Sequence, residues 1–348
     1  MDERTTPLSG QVALVAGATR GAGRGIALEL AAAGARVWCT GRSVRGHAAT
    51  PGRPETIDET AEMIVAAGGQ ARAVQVDHTD EAQVAALAAR LAAEEGRLDV
   101  LVNDIWGGDE LIDWGAPFWA QDMATARAVV DQAVFSHWIT ARHLAPMMVE
   151  AGRGLIVEIT DGEQPGYRGQ ITYDFVKAAV NRLAYAMAWD LAPKGLTAVA
   201  VSPGFLRSEA MLERFGVSEA NWRDAGREHF DFSLSESPRY LGRAVAALAA
   251  DPKVRRKSGQ ALWVADLARE YGFTDVNGEA PDFWGHMEAW LDRELAGDGE
   301  LPDNVRFTAA SRYGHIHPAP AKAERARLYA ERLGYRGLGA GLQPFGGA

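Results

Sequence analysis

Cysteine is nearly absent from this 348-residue chain: Cys39 is its single thiol, so no internal disulfide can form and no Cys/His spacing exists to build a structural zinc site. Nor is there an apolar run of the ~18 residues that a membrane-spanning helix needs. The opening MDERTTPLSG is charged and polar where an export signal is apolar, and these absences together predict an unexported, cytoplasmic protein. Basic residues are outnumbered, 36 Lys and Arg against 46 Asp and Glu, and the formal charge of −10 argues against nucleic acid or an anionic membrane as partner. HExxH and GxSxG are both missing. His78, His137, His143, His229, His286, His315 and His317 show no ligand spacing, so no metal is expected and hydrolase chemistry has no support.

What is present is 47% hydrophobic and 24% charged residues, enough for one large core or for a domain with an appendage. Through about residue 265, short β-branched runs alternate with long Ala-rich segments of helical period, the pattern of an α/β doubly wound parallel sheet of about seven strands. Strands are predicted at 12–16, 36–40, 71–76, 100–103, 155–159, 197–201 and 261–264. Helices are predicted at 23–33, 55–67, 81–94, 118–150, 173–192 and 240–250. Residues 1–280 form the predicted dinucleotide-binding and catalytic domain. Residues 281–348, broken by Pro281, Pro302, Pro318 and Pro320, read as a C-terminal extension with short helices near 283–295 and 321–333, capping the site or touching another subunit.

Gly17-Ala18-Thr19-Arg20-Gly21-Ala22-Gly23 follows the first strand and opens a helix, where glycine lets the backbone approach a pyrophosphate and the helix start offers free N–H groups. Arg20 in that turn and Arg42 after the second strand, with no acid beside them, suit a 2′-phosphate and so predict NADP(H). Tyr173 and Lys177, four apart at a helix start, share one face. An ammonium and an oxidised nicotinamide near the phenol would lower its pKa and make it a usable acid or base.

With these residues the chain resembles the short-chain dehydrogenase/reductase family, of the classical-like kind, over about residues 8–278. The resemblance rests on Gly17, Gly21 and Gly23, on Asp77 and Asn103 after the third and fourth strands, on Tyr173-Asp174-Phe175-Val176-Lys177, on Ser202-Pro203-Gly204, and on the closing stretch 256–278. It implies a Rossmann-type sheet and a homodimer or homotetramer acting on a small molecule. It also implies a cofactor site that takes in Thr19 and Asn103, with Asp77 on the adenine, Lys177 on the nicotinamide ribose and Pro203-Gly204 against the nicotinamide. Tyr173 would deliver the proton.

Three departures stand out. The family ends its fifth strand in a serine that donates to the substrate oxygen; here Thr160-Asp161 follows the strand. Strand alignment selects Asp161, while the thirteen-residue separation from Tyr173 selects Thr160. An ionised carboxylate only accepts hydrogen bonds. Asp161 must therefore be held protonated by burial, or Thr160 turn inward, or the substrate be cationic, as an iminium is; a bland capping role is the alternative. Second, Asn103-Asp104-Ile105-Trp106-Gly107 stands where the family has Asn-Asn-Ala-Gly, and Trp106 would crowd the turn unless Gly107-Gly108 relieve it. Third, Asp131-Gln132-Ala133 replaces an asparagine that anchors a relay water, a task open to Asp131 or Gln132 but not Ala133.

Trp106, Trp114, Phe118 and Trp119, with Phe205, Leu206, Met211, Phe215 and Trp222, either border a bulky apolar substrate or pack as core; Asp104, Asp161 and Glu163 would make that pocket acidic. The leading expectation is an NADPH-dependent reduction of a carbonyl. Imine reduction, and cofactor binding without turnover, are the alternatives.

Overall fold

The computed structural model describes residues 6–161, 168–227, 230–286 and 289. Seven strands form one sheet: β1 (Val12–Ala16), β2 (Arg36–Gly41), β3 (Gln70–Gln75), β4 (Val100–Asn103), β5 (Leu155–Ile159), β6 (Thr197–Ser202) and β7 (Ala261–Trp263). Their order is β3-β2-β1-β4-β5-β6-β7, and every pairing is parallel. Parallel strands need crossovers, and these are α1 (Gly21–Ala32), α2 (Ile57–Ala66), α3 (Glu81–Glu95), α4 (Met123–Val130), α5 (Ser136–Ala151), α6 (Ile171–Leu191), α7 (Glu209–Arg214) and α8 (Pro238–Ala250), followed by α9 (Val264–Tyr271).

Alternation along each strand divides the core. Ala13 and Val15 of β1 join Ile26 and Leu30 of α1, Leu241 and Val245 of α8, and Leu267 of α9 on one face. Val12, Leu14 and Ala16 join Leu87 and Leu91 of α3 with Leu144 and Met148 of α5 on the other. Both faces being covered is why the central strands β1, β4, β5 and β6 are buried along their whole length, whereas the edge strand β3 is not. The chain winds outward in one direction from β1 and in the other from β4, so the crevice between them at the strands' carboxyl ends is where this topology places a ligand.

The continuous helix predicted over 118–150 is divided in the structure. Asp122 accepts from the Thr125 N–H at 2.8 Å and so starts α4 there. A wider π turn over Asp131–Phe135 then separates α4 from α5. Helices α7 and α9 were not foreseen: the first is only six residues long, and the second leaves β7 without a turn. Of the extension, Phe283 to His286 are helical; the remainder of the predicted 283–295 helix apart from residue 289, and all of 321–333, lie outside the described residues. Among the described residues no helix is long and apolar enough to cross a membrane.

Candidate active site

A cleft of about 380 Å³ opens over the carboxyl ends of β1 to β6. Gly17, Thr19, Arg20, Gly21, Arg42, Asp77, Thr160, Asp161, Tyr173, Lys177, Pro203 and Gly204 all line it. Two of the predicted residues do not. Gly23 is buried under the turn, where a Cβ would stand 2.2 Å from the Gly17 carbonyl oxygen. Asn103 is wholly buried, donating its amide to Glu158 Oε1 at 2.7 Å, so it braces the sheet below the cleft instead of facing a ligand.

The glycine turn is held close against the loop after β4. Gly17 has φ +94°, and a Cβ on it would lie 2.2 Å from the Asp104 carbonyl oxygen, so only glycine fits. At the start of α1 the Gly21 N–H donates at 2.8 Å to the carboxylate of Glu209, reaching across from α7. That carboxylate is an internal anion on the N–H groups that would receive a diphosphate. Sequence reading missed Glu209, because nothing local signals a contact across 188 positions. Its removal frees the helix start, so Glu209→Ala is expected to tighten NADPH binding about three- to tenfold, the worth of one charge at a helix terminus. Fluorescence titration measures this, and weaker binding would instead make Glu209 a support of the cofactor.

Asp77 accepts from the Thr79 N–H and hydroxyl at 3.0 and 2.7 Å, which fixes its loop at the cleft edge. Neither the Arg20 nor the Arg42 side chain hydrogen-bonds or pairs with a carboxylate among the described residues. Arg24, by contrast, is engaged by Glu59 and Glu209.

At the other end of the cleft four charged or polar groups meet. Gln170 caps α6 by accepting from the Tyr173 N–H at 2.8 Å, which sets the first turn and points the ring inward. Tyr173 Oη donates to Asp161 Oδ2 at 2.7 Å, and Arg168 Nη2 donates to the same oxygen at 2.6 Å. Lys177 Nζ lies 3.7 Å from Asp161 Oδ1 and 4.4 Å from the centroid of the Trp106 ring. Strand alignment, not spacing, therefore identifies the residue beside the phenol. The Thr160 hydroxyl donates to the Lys177 carbonyl at 2.7 Å.

Burial acts to raise the Asp161 pKa, but the cations of Lys177 and Arg168 and the Tyr173 hydrogen bond outweigh it and hold the carboxyl below its usual range. Of the alternatives open from sequence, the one in which burial keeps it protonated is therefore set aside. Tyr173 moves against expectation. Burial, then the Asp161 charge and its hydrogen bond, push the phenol well above its ordinary value, against a smaller lowering by Arg168. Asp104, at the base of the turn, is pushed up to about 7 by burial.

Trp106 does not clog its turn. Gly107 takes φ +118°, the indole folds over Gly108 and donates to Asp109 at 2.7 Å, and the ring forms a wall edge-on to Tyr173, centroids 5.5 Å apart. Gln132 faces the cleft and donates to the Trp106 carbonyl at 2.8 Å, whereas Asp131 is exposed and Ala133 buried. Beneath lies a buried network with no sequence signal: His137 with Glu158 at 2.6 Å, and His78 between Thr40 and Thr140, both at 2.8 Å. Burial depresses His78 to about 3, so it is neutral.

The aromatic residues divide. Phe205, Leu206 and Met211 line the cleft, and Trp114 packs 5.1 Å from the Tyr173 ring. Phe215 and Trp222 instead pack around Phe232, while Phe118 and Trp119 are exposed. Glu163 lies outside the described residues. The first residues of the extension close over the Pro203-Gly204 turn: Trp284 Nε1 donates to the Pro203 carbonyl at 2.8 Å, and the Phe283 ring lies 5.9 Å from that of Phe205.

Behind that turn Glu236, fully buried, accepts from the Gly204 N–H at 3.0 Å. Burial pushes its carboxyl up to about 8 from 4.5. A carboxyl with a higher pKa folded than unfolded binds protons more tightly in the folded state, so its stabilising contribution is lost as pH rises between those values. Glu236→Gln keeps an acceptor for Gly204 but no longer titrates. Its melting temperature is expected to exceed that of the unaltered protein at pH 8.5 by about 3 °C or more and to match it more closely at low pH; thermal melts across that range check this.

Comparison with known proteins matches residues 11–216 to the short chain dehydrogenase family. Dehydrogenase/reductase SDR family member 1 of Mus musculus is 35% identical over 277 residues, 78% of this chain and 85% of the mouse protein. Among solved structures, a 7α-hydroxysteroid dehydrogenase complexed with NADH and 7-oxo glycochenodeoxycholic acid superposes with TM-score 0.61 at 28% identity, covering 76% of this chain and 96% of that one. An actinorhodin polyketide ketoreductase variant with NADPH gives TM-score 0.61 at 26% identity, covering 75% and 97%.

Proposed function

The chain belongs to the short-chain dehydrogenase/reductase family of oxidoreductases, and on that premise we propose that it is an NADPH-dependent reductase of a carbonyl in a fairly bulky, apolar small molecule. The observation that carries this reading is the convergence of Tyr173, Lys177 and Asp161 at one end of a cleft whose other end is the glycine turn with two uncommitted arginines. When bound, the nicotinamide supplies a hydride.

The chain's own groups do the rest. Gly17 and the start of α1 would hold the diphosphate, Arg20 and Arg42 the 2′-phosphate, and Lys177 the ribose. Tyr173 would give its proton to the substrate oxygen. A phenol held above its ordinary pKa stays protonated, which suits donation and disfavours the reverse reaction, where a phenolate must accept. Gln132, which donates one amide hydrogen to the Trp106 carbonyl, would hold a relay water through its remaining N–H or its carbonyl oxygen. Ile105, Trp106, Phe205, Leu206 and Met211 give the substrate end its apolar walls.

Reduction of C=N rests on Asp161 as an uncompensated anion. Here Arg168 and Lys177 both neutralise it, which favours the carbonyl reading. NADPH consumption with a panel of bulky ketones and cyclic imines tests this: ketone turnover supports it, imine turnover alone overturns it, and tight NADPH binding with no turnover makes the protein a binding module. The stacked, exposed pair of Phe135 in the π turn and Trp138 on α5, ring centroids 6.3 Å apart, with Phe175 and Trp189 exposed on α6, supports a homodimer or homotetramer, since contiguous exposed apolar surface marks interfaces.

A further inference from the structure

The family's serine donates a hydrogen bond to the substrate oxygen, and among the described residues at the substrate end of the cleft no hydroxyl other than that of Tyr173 is aimed at that place. Asp161 stands in the serine's place but is an acceptor only. The Thr160 hydroxyl is directed at the Lys177 carbonyl. Gln132 directs one amide hydrogen at the Trp106 carbonyl and is neutral, and the Lys177 ammonium sits over the Trp106 ring beside Asp161. Arg168 is the remaining cationic donor in the substrate end of the cleft.

Resting on the carbonyl-reductase reading above, we propose that Arg168 is a catalytic residue: its guanidinium replaces the missing serine as hydrogen-bond donor to the substrate oxygen, and Asp161 is the positioning residue that anchors it there. Asp161 Oδ2 accepts both from Arg168 Nη2 at 2.6 Å and from Tyr173 Oη at 2.7 Å. Two donors on one oxygen lie within about 5 Å of each other, close enough to bridge a second, substrate oxygen. The side chain's two hydrogen bonds, to Asp161 Oδ2 and more weakly to the Asp161 carbonyl at 3.4 Å, leave three of five N–H groups with no acceptor among the described residues.

The guanidinium is also held in place. It lies 5.2 Å from the centroid of the Trp284 ring and 6.0 Å from that of Tyr173, with only about a fifth of the side chain exposed. Stacking of this kind fixes the plane and limits the freedom a long side chain would otherwise lose on binding. A charge-assisted donor is stronger than a neutral hydroxyl where negative charge develops. A bound reduced nicotinamide would supply the hydride to the carbonyl carbon and would leave oxidised. The C=O π pair moves to oxygen beside Arg168, and that oxygen takes the Tyr173 proton, which solvent replaces.

The test uses the full chain with a ketone substrate and three variants: Arg168→Met, the double variant Arg168→Met with Asp161→Ser, and the double variant Arg168→Met with Asp161→Ala. Arg168→Met is expected to lower kcat about 100-fold, the usual cost of losing one oxyanion donor. NADPH affinity, read by fluorescence, should stay within about twofold, because the altered group faces substrate and not the cofactor phosphates. Serine at 161 restores a hydroxyl and should recover about tenfold; alanine removes the uncompensated charge without supplying a donor and should recover nothing. Equal recovery by alanine would show that Arg168 only neutralises Asp161, and unchanged kcat in Arg168→Met would show that it does neither; each result overturns the proposal. Arg168→Lys, which keeps the charge but not the fork, should fall between and covers the case of a misfolded Met variant. Loss of activity in Tyr173→Phe with full activity in Arg168→Met would sink this inference alone. Full activity in Tyr173→Phe would sink the reading beneath it.

Discussion

Phenylalanine at position 173 is expected to lower kcat/KM for ketone reduction by about 10³, within the range that general acid catalysis contributes, while NADPH affinity changes little. The size follows from the state of the groups that meet Tyr173. Asp161 is held below the usual carboxylate range by Lys177 and Arg168, so near neutrality it has no proton to give. Lys177 is engaged by Asp161 and the Trp106 face. Thr160 directs its hydroxyl into the backbone of α6. Steady-state kinetics with NADPH and a ketone check the prediction, and a loss below tenfold would remove Tyr173 from the role.

The same geometry gives the variant's parent a distinctive pH response. Burial and the Asp161 charge keep the phenol protonated to higher pH than free tyrosine. Donation to an alkoxide is therefore available across the whole neutral and mildly alkaline range, whereas accepting a proton from an alcohol is not. The positive charge of an oxidised nicotinamide would pull the phenol down again, which is the condition under which the reverse direction opens.

The sheet was legible because parallel strands buried on both faces are mostly apolar: β1, β4 and β5 lie where the runs Val12–Ala16, Val100–Asn103 and Leu155–Ile159 predict. Gly17 and Arg42, read from the ends of the first two strands, line the cleft, as does Asp77, which only the family resemblance pointed to. What hid from the sequence depends on contacts made after folding. Spacing could not decide between Thr160 and Asp161, because the connection to α6 sets which one meets the phenol. Arg168 gave no signal as one arginine in a loop, and Glu158 in the middle of β5 is a buried acid that only His137 and Asn103 make tolerable. The helix over 118–150 broke because capping by Asp122 and the wide turn at Asp131 override an apolar periodicity that runs straight through them.

Removing both Arg20 and Arg42 as alanines is expected to raise KM for NADPH about 100-fold and to leave KM for NADH within about threefold, since each charge-assisted bond to a phosphate contributes roughly 1.5–3 kcal/mol before solvent screening weakens it. The family leaves the choice open, one relative's structure holding NADH and another's NADPH. Here the discrimination rests on charge availability. Arg24 sits in the same turn of α1, yet Glu59 and Glu209 already neutralise it. Arg20 and Arg42 line the cleft without a carboxylate partner among the described residues, so their charge is free for a ligand. Equal losses for both cofactors would place the arginines on the shared diphosphate. No loss for either would leave the 2′ position unread and make the protein indifferent to the extra phosphate.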